Sequence, residues 1–389
     1  IPAGATVIDT RGQTIMPGLI DAHAHLFMLG YGDEAAWFKW LEGPGKKYSI
    51  QKVMELSAWQ LLMSGVTGAI DLGGTAEDSI AVRDRINKGQ VPGPRLIVSG
   101  PLVTRRAFGG FPAAASAVIA NPQEGAAAVD RLAKMGVNVI KAHAGLTRED
   151  YFAIVQAARR NRIKVHAHVY DEAAVRNAFD AGVDVLQHMG SAGGPTYSEE
   201  LMKDIGSANR PVVLTAAHRS WIFPDTVAYP ERLRDPVLKS MFPADMWQAV
   251  QASFKEWPAE SYFAQIDRQI RYRSPQVKQL IAANLVMGVG TDSGTPMNFN
   301  TDGLIREMIV LADEGMAPLE VIADTTRVNA RIMGKPDVGT IEPGKRADII
   351  VVPGDPVYNK LRNLFNVTTV IKDGTLYKRD GKPLVPMPR

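Results

Sequence analysis

Seven histidines occur in the 389 residues, and most of them fall at the ends of short apolar runs. His23 and His25 close the run that begins Gly18-Leu19-Ile20. Side chains two apart on a strand share a face, so both rings can reach one ion. Taken alone, the pair fits a solvated edge strand as well. The other histidines change that balance: His143 follows the run ending at Lys141, and His166 and His168 share the run Ile163–Val169. His188 ends a sixth run, His218 follows a seventh, and Asp292 ends an eighth in Gly290-Thr291-Asp292-Ser293-Gly294. Imidazoles and a carboxylate gathered at one end of a set of strands make nitrogen and oxygen donors for a divalent cation that activates water. Lys141 lies inside an apolar run, where a buried ammonium needs a partner or a modification. Carbamylation would make it an anionic oxygen ligand able to bridge two cations.

Composition narrows the chemistry. Cysteine is absent, which excludes disulfides, thiolate ligands and a cysteine nucleophile. The net charge is +3 with the charges well mixed, so nothing marks a nucleic-acid face or a polybasic membrane patch. No run approaches the roughly 18–20 apolar residues of a membrane span. These features read as a soluble protein with neither nucleic acid nor membrane as partner; a small-molecule substrate and a homo-oligomer are expected. The chain starts at Ile1 with no Met and no leader, which reads as a processed or truncated start; it leaves a cytoplasmic and a periplasmic or secreted location both open.

The elements that position these residues follow an alternating pattern. After Leu19 the strand runs are Gly65–Asp71, Arg95–Ser99, Val137–Lys141, Ile163–Val169, Val183–His188, Pro211–Thr215 and Val286–Asp292. Helices lie between them. Asn121, Pro122 and Glu124 give a strong start signal, Gly136 a stop, Thr147 a further cap and Gly182 a further stop. Eight strands alternating with helices, with polar residues at their C-terminal ends, predict an α/β protein built as a (β/α)8 TIM barrel over residues 18–340. Residues 219–274 break the rhythm and are rich in aromatics, among them Trp221, Phe223, Phe242 and Trp247. Following a barrel strand, they are expected to hang over the catalytic face as a lid. Three helix-free strands near the C-terminus should join residues 6–16 in a small β-sandwich assembled from residues 1–17 and 341–389.

Taken together, several stretches resemble the amidohydrolase superfamily, in its imidazolonepropionase-like, dipeptidase-like and ochratoxin-hydrolysing branch. They are Gly18–His25, Val139–Lys141, Ala167–Tyr170 with Gly182–Asp184 and His188, Gly290–Gly294, and Gly339–Asp348. The resemblance covers nearly the whole chain. It implies two divalent metal ions, one on His23, His25 and Asp292 and a second on His168 and His188, with carbamylated Lys141 bridging. Zn suits such ligands, and Mn, Co or Fe remain open. It further implies attack by a metal-bridging hydroxide on an amide bond, with Asp292 as the catalytic proton acceptor and donor. The expected substrate is an N-acyl amino acid, dipeptide-like or ochratoxin-like molecule with a bulky aromatic part; an ester, lactone or organophosphate is the alternative. His143, Tyr170, His218 and Arg219 stand where substrate is contacted, with Arg105 and Arg106 as further loop cations. His168 is taken over His166 because it lies nearer the strand's C-terminal end and precedes Val169-Tyr170. Two departures are visible: Phe108–Pro112 replaces a His-Gly-rich loop, and the strands that usually precede residue 1 are missing.

Overall fold

β1 (Gln13–Pro17) belongs to a peripheral sheet, and Gly18 separates it from the strands that carry the site. These begin with β2 (Leu19–Ala24), β3 (Val66–Asp71) and β4 (Arg95–Val98). Two short pieces follow, β5 (Leu102–Thr104) and β6 (Ser116–Val118), and then β7 (Val139–Ala142), β8 (Lys164–His168), β9 (Val185–Gln187), β10 (Val212–Leu214) and β11 (Met287–Val289). The computed structural model describes residue 4 and residues 6–107, 111–191, 194–218, 230–254 and 266–388.

All eight runs read from the sequence contain a strand, and all of these pair in parallel, but among the described residues the continuous closed ladder expected of the barrel does not form. β2, β3 and β4 make one sheet, and β11-β10-β9-β8-β7-β5-β6 make another. The third run explains one break. It ends at Val98, Gly100 takes φ 64, and Pro101 has no N–H to give to a ladder. β4 pairs with β3, and the chain then re-forms as β5, which meets β7 at Val103 and Ala142. A few backbone bonds cross the two seams: Asn138 N–H to Val98 O (2.8 Å) on one side, and on the other Thr291 N–H and Asp292 N–H to His23 O (3.0 and 2.9 Å) with His25 N–H to Ser293 O (2.8 Å).

Within the eight strands, Ile20, Ile70, Ile97, Val139, Val185 and Val213 form an apolar plug, joined by Ala330, Ile332 and Met333. Ile20, Val139 and Val185 lie at or next to the N-terminal ends of their strands, whereas Ile70 and Ile97 lie further along theirs. Outside, the helices start and stop where their caps dictate. Asn121 accepts the Glu124 N–H at 2.9 Å, Gly136 ends that helix at φ 100, and Thr147 and Asp150 cap each other reciprocally.

The peripheral sheet is antiparallel, in the order β1, β12 (Ile349–Pro353), β13 (Thr369–Lys372), β14 (Thr375–Arg379) and β15 (Lys382–Pro383). The expected sandwich is thus a single five-stranded sheet among the described residues, and residues 6–10 form no strand. Ile350, Val352 and Val370 join the main apolar core, so one face is already covered without a second layer. Arg95 of β4 ties this sheet on, reaching Asp348 at 2.9 Å and also Asp373.

Part of the proposed lid, including Trp221, Phe223, Tyr229, Trp257, Tyr262 and Phe263, lies outside the described residues. In the described part, Phe242, Trp247 and Phe254 are buried. Phe242 and Trp247 lie 5.1 Å apart, centroid to centroid, and both meet Phe299. These aromatics pack the interior and do not line the cavity beside the histidines.

Candidate active site

The site is built where the strands end. His23 is on β2 and His25 is the first residue beyond it. Their rings fit because glycines stand opposite: a Cβ on Gly290 would lie 2.7 Å from the His23 Cβ, and one on Gly73 would lie 2.7 Å from His25 Nδ1. The buried Asp21 carboxylate stitches this strand end to the turn after β11. It accepts from His23 N–H (3.0 Å), Thr291 N–H (3.2 Å) and Thr291 Oγ1–H (2.7 Å). Burial pushes Asp21 up to about 7 despite these donors. Asp292 lies three residues beyond β11 rather than on it, at φ 60, and His188 follows β9 at φ 70. Left-handed backbone at two non-glycine residues is costly and tends to gather at functional sites.

The ligand atoms of His23, His25 and Asp292 all lie within 4.8 Å of one another. Asp292 Oδ1 is 2.9 Å from His25 Nε2 and 3.4 Å from His23 Nε2. Lys141 Nζ lies 3.3 Å from His23 Nε2 and 3.4 Å from His188 Nε2, so it stands between the first group and the second. The His168 and His188 ring centroids are 4.4 Å apart, as are those of His23 and His188. Burial, with neighbouring positive charge as the lesser cause, holds His23, His168 and His188 well below the ordinary imidazole value, which keeps them neutral. Burial also brings Lys141 down to about 7. For Asp292 burial acts upward, but hydrogen bonds from His218 and His25 overcome it and hold the carboxyl well below its usual range.

A second ring of contacts fixes the imidazoles, and sequence reasoning missed its central member. Gln187 Oε1 lies 2.8 Å from His23 Nδ1, and Gln187 Nε2 lies 2.9 Å from His166 Nδ1. A carbonyl oxygen only accepts, so His23 carries its proton on Nδ1 and its lone pair on Nε2. The same amide makes His166 an acceptor at Nδ1, which gives His166 a place behind His23. Gln187 and His188 are neighbours that strand alternation would send to opposite faces, and the positive φ at His188 brings both inward. His188 Nδ1 is held by Thr215 Oγ1 at 3.0 Å.

This donor set fits a metal. The lone pair on His23 Nε2 faces the Asp292 carboxylate at 3.4 Å, acceptor against acceptor, an arrangement that a cation between them makes favourable. All donors are nitrogen or oxygen, and the rings are neutral and oriented from behind, as metal-binding imidazoles usually are. Beside them lies a cavity of about 300 Å³ whose polar wall includes His25, Lys141, His143, His168, Tyr170 and Asp292. His143 and Tyr170 stand at its edge, 4.1 and 4.6 Å from the His168 ring. His218 instead turns toward Asp292, with Nδ1 3.0 Å from Oδ2 and Nε2 2.9 Å from Thr295 Oγ1. Arg105 forms a two-pronged pair with Asp150, both contacts at 2.8 Å, and is thereby committed away from the cavity. Arg219 lies outside the described residues.

Comparison with known proteins gives a consistent picture. The amidohydrolase family profile matches residues 14–377. A 5-methylthioadenosine/S-adenosylhomocysteine deaminase of Halothermothrix orenii is 23% identical, across 97% of this chain and 84% of its own length. Among solved structures, a putative prolidase from Bifidobacterium longum superposes with a TM-score of 0.73 at 26% identity, covering 99% of this chain and 86% of that one. The A. niger ochratoxinase shares the fold, with a TM-score of 0.68 at 22% identity over 96% of this chain and 84% of its own.

Proposed function

The chain belongs to the amidohydrolase family, and on that premise we propose that it is a hydrolase cleaving a carbon–nitrogen bond, an amide, in a small molecule. His23, His25 and Asp292 would hold one divalent ion, His168 and His188 a second, and Lys141, as its carbamate, would bridge them. The observation that carries this reading is the position of Lys141 Nζ, 3.3 and 3.4 Å from one histidine of each group. When bound, the ions, for which Zn suits the donors, polarise the scissile carbonyl and make water nucleophilic near neutral pH.

The remaining work falls to side chains of the protein. Burial brings Lys141 down to about 7, so a substantial fraction of it is the neutral amine near neutral pH; that amine adds to carbon dioxide, forming the N–C bond of a carbamate and releasing one proton. Asp292 takes the proton of the attacking water and returns it to the leaving nitrogen. His218, 3.0 Å from Oδ2, orients that carboxylate and leaves Oδ1 facing the other histidines. His143 and Tyr170, at the cavity edge, are placed to hold the substrate's oxygen as charge develops on it.

The relatives named above include a deaminase and a prolidase, and both reactions break carbon–nitrogen bonds. Turnover of matched amide, ester and phosphotriester substrates by metal-loaded protein tests the reading. Amide cleavage within tenfold of the matched ester supports it, given the lower intrinsic reactivity of amides. Esters or phosphotriesters cleaved with no detectable amide turnover would overturn it.

A further inference from the structure

The cavity beside the histidines has a second wall that the hydrolytic chemistry does not use. It is formed by Phe27, Met28, Leu102, Phe111 and Pro296. The Phe27 and Phe111 rings meet edge to face, centroids 5.4 Å apart and planes at 77°, and Phe38 packs on Phe111 from behind at 6.3 Å. Phe27 also lies edge-on to His25 at 6.4 Å, so this wall starts one ring away from a proposed metal ligand. Three of the five residues are less than 5% exposed, which makes the wall a fixed part of the core. It arises from four places: the turn directly after β2 with Phe27 and Met28, the β5 piece created by the break at Gly100-Pro101 with Leu102, the loop carrying Phe111, and the turn after Asp292 with Pro296.

Volume sets what fits. A cavity of about 300 Å³ lies at the small end of ligand pockets, and about half that volume suffices for a benzene ring in an apolar cavity. The scissile group and its attacking water must occupy the polar half.

We propose that the wall of Phe27, Met28, Leu102, Phe111 and Pro296 is the subsite for one aromatic ring, or a branched alkyl group of like size, attached directly to the scissile group. The preferred substrates are then compact one-ring amides, not amides of fused two-ring acids. This rests on the cavity being the substrate site, as proposed above, and it replaces the lid aromatics as the source of apolar recognition. Phe27 and Phe111, packed edge to face on each other, can take a third ring in offset or edge-to-face contact.

Calorimetric binding of acetamide, benzamide and 2-naphthamide to metal-loaded protein tests the subsite without requiring turnover. Benzamide should bind about 10- to 100-fold more tightly than acetamide, from burial of one ring, and 2-naphthamide no more tightly than benzamide. Phe111 is half-buried, so Phe111→Ala should fold, and by removing a ring from the wall it should make 2-naphthamide the tighter ligand. Leu102→Phe should act oppositely and weaken benzamide and 2-naphthamide while leaving acetamide unchanged. Equal binding of acetamide and benzamide, or an unchanged order in both variants, overturns the subsite. Neither result touches amide cleavage, which fails separately if esters alone turn over.

Discussion

Replacing Gln187 by Leu isolates the ring of contacts that orients His23. The amide makes two hydrogen bonds, 2.8 Å to His23 and 2.9 Å to His166, and all three residues are fully buried. Leucine fills a similar space but leaves the His23 Nδ1–H donor and the His166 Nδ1 acceptor unsatisfied. Each such group costs about 1–3 kcal/mol, so stability should fall by about 2–6 kcal/mol if nothing adjusts. His23 has an escape: its proton moves to Nε2, where Asp292 Oδ1 lies 3.4 Å away. That relief consumes the lone pair that would bind the ion. The expected signature is therefore a stability loss at the lower end of the range, accompanied by metal affinity weakened about 10- to 100-fold. Competition with a chromophoric chelator reads the affinity, and nitrogen NMR of histidine-labelled protein reads the tautomer. Gln187→Glu keeps an acceptor for His23 Nδ1–H and should hold metal more tightly than the Leu variant. Wild-type metal affinity in Gln187→Leu, with His23 still protonated on Nδ1, would refute the reasoning.

Three other substitutions probe separate parts of the account. Asp292→Asn keeps size and tolerates the positive φ but accepts no proton, so turnover should drop by roughly two to four powers of ten with little change in folding; near-normal turnover would remove the proton-carrying role. Glu307 is fully buried, accepts the Ala216 and Ala217 N–H groups at 2.7 and 2.6 Å, and is pushed by burial up to about 8 from 4.5. Its folded form holds the proton more tightly than its unfolded form, so its stabilising contribution is fully present below about pH 4.5 and is lost as pH rises toward 8. Glu307→Gln should flatten that decline, by on the order of 1 kcal/mol per pH unit, in denaturant titrations at several pH values; an unchanged slope contradicts it. Arg95→Met leaves the buried Asp348 carboxylate without its cation and should cost about 3–5 kcal/mol, whereas a loss below about 1 kcal/mol would mean that the pair does not fasten the peripheral sheet.

What the sequence made legible follows from where its signals are local. His23 with His25, and His166 with His168, could be placed on shared faces because strand period needs no knowledge of neighbours. The caps at Asn121, Thr147 and Gly182 are equally local, and those helices start and stop where they mark. Gln187 shares the inward face with Val185 by strand alternation, but it was hidden because its neighbour His188 also faces the site, which takes the left-handed turn at His188, and no residue type there announces positive φ. The Gly100-Pro101 break was visible as composition, but its consequence, a strand that changes partners from β3 to β7, depends on long-range pairing. Aromatic content likewise marked residues 219–274 without telling which rings face inward. Phe242 and Trp247 prove to be core, while the apolar wall at the site includes Phe27 and Leu102, one beside a strand end and one in a three-residue strand.

The most direct test of the metal centre is the metal content of protein saturated with Zn in bicarbonate buffer, measured by plasma mass spectrometry for wild type beside Lys141→Ala. The wild type should hold about two ions per chain. Lys141→Ala should lose metal and activity together, and a short-chain carboxylate added to it should restore part of both. Full turnover in metal-free wild-type protein, or two ions retained by Lys141→Ala, would contradict the account.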